Sequence, residues 1–178
     1  IIAQDGKSYG VFYTKAIPSI TTFNDVLDGR SLVAGAMCAW DKDVFDVFGP
    51  LSGGAINEDV MIPFRGAILG KVCYTDEILV SYRKHGDNLS FFMKLNSSSP
   101  LELIDLNIKN QKNTLLNCLE FKQLLEKAEN ADITGIDYES SALVLDERIT
   151  LLSLEIDLLS QNFHERLGTF LKNTGMMR

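Results

Sequence analysis

The sequence of 178 residues is poor in the groups that build metal and disulfide frameworks. It has three cysteines, Cys38, Cys73 and Cys118, far apart and in no CxxC pair, so the thiols are expected to be reduced and buried rather than bridged, as in a cytoplasmic protein. Its two histidines, His85 and His164, fall in what read as different modules, which argues against an autonomous zinc site. Basic charge is scarce as well. With 17 Lys and Arg against 24 Asp and Glu and a net charge of −7, no broad phosphate-backbone surface is expected, and nucleic acid is an unexpected partner. No stretch reaches the roughly 18 consecutive apolar residues of a membrane span. No Met, basic leader or small-residue cleavage site precedes the first elements, so no secretory leader is expected and the start at Ile1 reads as a cut.

What is present is a 46% hydrophobic fraction, enough for a real core. The polar run Asn96-Ser97-Ser98-Ser99-Pro100 divides short mixed elements from long amphipathic ones, giving two expected units, 1–97 and 98–178. In the first, Tyr9–Lys15 reads as a strand. Thr21 or Thr22 caps a short helix through Leu27, and Ser31–Ala39 reads as a buried strand or close backbone passage. Asp41 is placed to cap a helix over Lys42–Phe48 that ends at Gly49-Pro50. Asn57 is placed to cap a helix through Leu69, and short strands are expected around Val72–Tyr74 and Glu77–Arg83.

In the second unit, Leu101, Ile104, Ile108, Leu115 and Leu119 mark one face of a helix running toward Ala128, followed by a break over Asn130–Asp137 with Gly135. From Tyr138 the series Ala142, Leu145, Ile149, Leu152, Ile156, Leu159, Phe163 and Phe170 follows four-three spacing, the period of a coiled-coil seam. Leu151, Leu154 and Leu158 widen the stripe, so this helix is expected to meet more than one neighbour. A helical hairpin that packs on the first unit or on a second copy is the simplest reading. No Lys/Arg-rich face supports a membrane-surface role.

The ordered pieces Gly35-Ala36-Met37-Cys38-Ala39-Trp40, Phe48-Gly49-Pro50-Leu51, Asn57-Glu58-Asp59, Arg65-Gly66-Ala67, Gly70, Leu79–His85 and Asn88-Leu89-Ser90 resemble the end of the catalytic domain of family-2 glycosyltransferases of the GT-A fold. The match covers about a third of the chain, Ser31–Ser90, and leaves the helical tail outside. The fold it implies is α/β, a partial nucleotide-diphospho-sugar transferase domain, here followed by an α-helical hairpin or coiled-coil-like tail. The activity it implies is inverting transfer of a sugar from a nucleotide-sugar donor to a glycan, lipid or small-molecule hydroxyl.

By the same resemblance Asp59 is the general base that takes the acceptor proton, with Glu58 beside it contacting acceptor or orienting the loop. Arg83, Arg65 and His85 are candidates for donor or substrate binding, and His85 for the Mg or Mn ion that such enzymes set against the diphosphate. Plain structural readings stand beside these. Acidic residues suit a helix's first turn, Pro63 leaves the Asp59 carbonyl without an N–H partner, His85 precedes the turn-forming Gly86-Asp87-Asn88, and Arg83 suits a structural ion pair. The literal DxD at Asp41-Lys42-Asp43 opens a helix and reads as a cap, unlike the family's strand-terminal DxD.

The upstream βαβ units that would bind the nucleoside diphosphate, with their own DxD, do not appear before Ile1, so the fragment alone is expected to be inactive, with no metal bound. The rival expectation is a non-catalytic helical assembly or interaction module, a homo-oligomer through its tail. The expected location is cytoplasmic, with a peripheral position at a membrane left open.

Overall fold

A computed structural model describes residues 2, 5–8, 10, 20–28, 37–52, 57–83 and 100–173, and the side chains of those outside 100–101 and 161–173. In chain order the elements are β1 (Ile20–Thr21), α1 (Phe23–Leu27), α2 (Asp43–Phe48), α3 (Glu58–Leu69), β2 (Val72–Cys73), α4 (Pro100–Asn130) and α5 (Tyr138–Asn173). The strands β1 and β2 pair antiparallel, Ile20 opposite Cys73 and Thr21 opposite Val72.

This overturns the α/β expectation. Among the described residues the chain is mostly helical, and its one sheet has two strands of two residues each. The Glu77–Arg83 segment shows the physical reason. Its residues have strand propensity, but a strand exists through its ladder partners. Among the described residues it finds an isolated bridge from Arg83 to Ile2, with Ile2 N–H donating to the Tyr82 carbonyl at 2.9 Å. Ile78 and Leu79 are left 73% and 71% exposed. The expected strand at Tyr9–Lys15 and most of the Ser31–Ala39 passage lie outside the described residues. Met37–Ala39 carries no strand.

Local signals predict the helix ends better. Thr22 caps α1 in a reciprocal box: its hydroxyl accepts from Asp25 N–H, and Asp25 accepts from the Thr22 backbone N–H at 2.9 Å, satisfying donors at the helix start. The Asp41 expectation fails in part: α2 begins at Asp43 with Lys42 as its N-cap and no side-chain cap bond, while Asp41, one residue earlier, accepts from Asp43 N–H at 3.0 Å. The helix ends at Gly49 with φ 76°, a positive φ that glycine adopts without a Cβ penalty. The Asn57 expectation fails in part. Asn57 is the N-cap residue of α3, but its side chain makes no cap bond; the first turn is held by its carbonyl, which accepts from Val60 at 3.1 Å and Met61 at 3.2 Å.

The hairpin forms as the spacing predicts. The end of α4 is a Schellman motif: Asp132 N–H donates to the Glu129 carbonyl and Ile133 N–H to the Ala128 carbonyl, with Asp132 at φ 53°, so the last carbonyls of the helix are satisfied. Tyr138 then donates to the Ile133 carbonyl at 2.7 Å, and Asp137 accepts from Ser140 N–H at 3.0 Å at the start of α5. Antiparallel register is fixed by Lys122 with Asp146 at 2.6 Å and by Gln111 with Glu155 at 2.9 Å.

Leu145, Leu152 and Ile156 of the four-three seam are buried, and α4 is the neighbour that faces α5. The rest of the core lies under α3. One hydrophobic cluster joins Val26 and Leu27 of α1, Phe48 of α2, Met61, Phe64, Ala67 and Ile68 of α3, and Cys118, Phe121, Leu124, Leu125 and Ala128 of α4 with Leu145 and Leu152 of α5. Phe64 and Phe121 stack with centroids 3.7 Å apart and planes 9° from parallel. Ring quadrupoles disfavour so direct a stack, so burial holds this pair. Across the same junction Arg148 donates to the Leu27 carbonyl at 3.0 Å and Ser52 to Glu120 at 3.0 Å.

Candidate functional site

The candidate site is the start of α3. Glu58 is exposed and Asp59 half-buried, both in the first turn, where the unpaired N–H groups and the helix dipole favour negative charge. Pro63 lies inside the helix and has no N–H for the Asp59 carbonyl. The helix therefore starts at Glu58 with one helical bond missing from its ladder.

Cys38 of the Met37–Trp40 segment feels this turn electrostatically. The Cys38 thiol is pushed up from its ordinary pKa, first by burial and second by the Asp59 carboxylate, so Asp59 and Cys38 are close in space. One residue of Met37–Trp40, Cys38, thus lies within electrostatic reach of Asp59. Trp40 is 44% exposed.

The other candidates are placed differently. Arg65 is 1% exposed. Its guanidinium donates to the Gly49 carbonyl at 2.7 Å and the Pro50 carbonyl at 3.2 Å, and it lies over Phe45 and Phe48 at 5.9 and 5.6 Å. Burial lowers its pKa while Glu120 on α4 raises it. Its Nε has no hydrogen-bond partner. This head group is committed to the turn after α2 and closes that turn onto α3.

Arg83 is exposed, with its backbone bridged to Ile2. His85 lies outside the described residues, as do Gly53–Ile56 of the loop preceding α3. The described residues hold no group of three His, Cys, Asp or Glu able to ligate a cation. Asp41 and Asp43 of the DxD are taken up in opening α2.

Reading the sequence missed two partners in this region: Cys38 as the neighbour of Asp59, and Glu120 as the acidic group from α4 that reaches Ser52 and the Arg65 environment. Neither is signalled by spacing, because each comes from an element remote in sequence. A hollow of about 50 Å³ lined by Lys122, Leu125, Glu126, Glu129, Tyr138 and Ala142 lies between the hairpin helices and is too small for a sugar, against roughly 300 Å³ for small ligand sites. No described helix is long and apolar enough to cross a membrane. Compared with known proteins, the chain matches no family model, no curated protein and no solved structure.

Proposed function

We propose that this chain supplies the acceptor side of an inverting, nucleotide-sugar-dependent glycosyl transfer, with Asp59 as the general base. The observation that supports the reading is the electrostatic reach of Asp59, at the start of α3, to Cys38, residues from two pieces of the ordered pattern that resembles family-2 glycosyltransferases. The reading rests on that pattern and this proximity, and not on the overall architecture, which is helical.

In the proposed step the acceptor hydroxyl binds at the first turn of α3 and the half-buried Asp59 carboxylate accepts its proton. The oxygen then forms its bond to the anomeric carbon from the face opposite the departing nucleoside diphosphate, whose bond to that carbon breaks. Glu58, exposed one residue earlier, contacts the acceptor. Trp40 offers an apolar face for a sugar ring. Arg83 and His85 are kept as donor-side candidates, His85 with a divalent cation, whereas Arg65 enters as the residue that shapes the Gly49-Pro50 turn. The three unbridged thiols suit a reducing compartment, and we place the protein in the cytoplasm.

The test is transfer by the intact protein with Asp59→Asn, which removes basicity with little change of shape. Loss of about 10²-fold or more in turnover is expected, and near-wild-type turnover overturns the assignment. A second reading, a helical assembly module, is favoured by one feature outside this site: a row of exposed leucines on α5.

A further inference from the structure

The apolar residues of α5 form two faces. Leu145, Leu152 and Ile156 are buried toward the core, whereas Leu143, Leu151, Leu154 and Leu158 are 62%, 66%, 61% and 61% exposed. At 100° per residue these four fall within a sector of about 80°, opposite the buried seam, and extend about 22 Å along the helix. Leu151, Leu154 and Leu158 have the i, i+3, i+7 spacing by which one helix anchors in another. Exposed leucines scattered singly are ordinary, but Leu151, Leu154 and Leu158 lie together on one face, with Leu143 beyond Glu147 on the same side.

The charges around this face select its occupant. Between Leu143 and Leu158 the sequence has four carboxylates, Asp146, Glu147, Glu155 and Asp157, and one cation, Arg148. Arg148 is engaged by the Leu27 carbonyl, Asp146 by Lys122 and Glu155 by Gln111. Glu147 falls within the leucine sector and Asp157 flanks it, about 40° beyond its edge. Both are exposed, and neither pairs with a cation among the described residues. A second copy would set acid against acid across the contact, and an anionic membrane would be repelled in the same way.

We propose that the outer face of α5 docks a partner helix whose apolar anchors are flanked by lysine or arginine. This rests on the assembly reading and gives that reading a partner of defined chemistry; it is independent of glycosyl transfer. The partner's anchors would cover Leu151, Leu154 and Leu158, and its cations would meet Glu147 and Asp157.

The test uses the 178-residue chain and two labelled synthetic helical peptides, identical in leucine register but with Lys in one and Glu in the other at the flanking positions, with binding followed by fluorescence anisotropy. The Lys peptide is expected to bind at least about tenfold tighter than the Glu peptide, and to weaken as salt is raised. Leu154→Gln is expected to weaken it about tenfold, with unchanged circular dichroism because the position is exposed. The double change Glu147→Gln, Asp157→Asn is expected to remove the preference between peptides.

Equal binding of both peptides, or binding of neutral lipid vesicles in place of either, overturns the proposal. Sedimentation showing self-association that Leu154→Gln abolishes overturns it too, while leaving the assembly reading standing. A monomeric chain that binds neither peptide overturns both.

Discussion

Arg65 is the residue where chemistry and architecture are easiest to confuse. A cation in a family-like pattern suggests phosphate, but here the planar guanidinium spans two carbonyls and lies over two rings, which an ammonium cannot reproduce. Arg65→Ala is therefore expected to cost about 3 kcal/mol, by loss of charge-assisted bonds and of packing, and Arg65→Lys about half as much. Urea unfolding checks both, and a loss below about 0.5 kcal/mol for Ala would deny the clamp. Asp59 is the opposite case: half-buried in the first turn of α3, it should affect turnover while leaving stability nearly unchanged. Both residues sit on one short helix. Their roles separate by burial, which residue type does not reveal.

At the scale of elements, the hairpin turn gives a sharp expectation. Asp132 holds a left-handed φ of 53°, which costs a residue with a Cβ about 1 kcal/mol. Asp132→Gly relieves this at some cost in unfolded-chain entropy, so a gain of about 0.5 kcal/mol is expected, read as a higher denaturation midpoint. The turn was legible in outline from Asn130–Asp137 with Gly135. Which residue takes the left-handed position was not, because Asp132 and Gly135 both adopt positive φ and the Schellman bonds select the former. Glu77–Arg83 shows the limit of propensity: β-branched and aliphatic residues there are compatible with a strand, but the ladder partner is a tertiary fact.

At the scale of the whole molecule, the cluster around Phe64 and Phe121 links the short elements to the hairpin. Trp40 fluorescence, which reports the first part, and far-ultraviolet dichroism, dominated by α4 and α5, are expected to follow one unfolding transition. Phe64→Ala is expected to destabilise both signals together by about 3–5 kcal/mol; separate transitions would show that the parts fold independently.

Alkaline pH tests the same packing. Burial raises the Cys118 thiol pKa against the opposing Arg148 charge, burial and Asp59 raise that of Cys38, and burial and Glu129 raise that of Tyr138. The folded state thus holds these protons more tightly than the unfolded one. The associated stability is fully present below the ordinary thiol value of 9.0 and is lost as pH rises through the higher folded values. Urea midpoints should fall above that pH, and Cys118→Ala should show a shallower fall.

The sequence by itself determined features that act over one to seven residues: a cap at Thr21 or Thr22, the Gly49 stop of α2, the extent of α3 and the four-three seam of the hairpin. Caps and seams depend on neighbours along one helix, so spacing is sufficient to encode them. Tertiary structure alone decided that Asn57 caps without its side chain, that Arg65 serves a turn and that Cys38 lies beside Asp59. It also decided that Leu151, Leu154 and Leu158 face outward once α4 has covered the opposite side of α5. Each of these depends on which remote element arrives to bury a group or leave it in water.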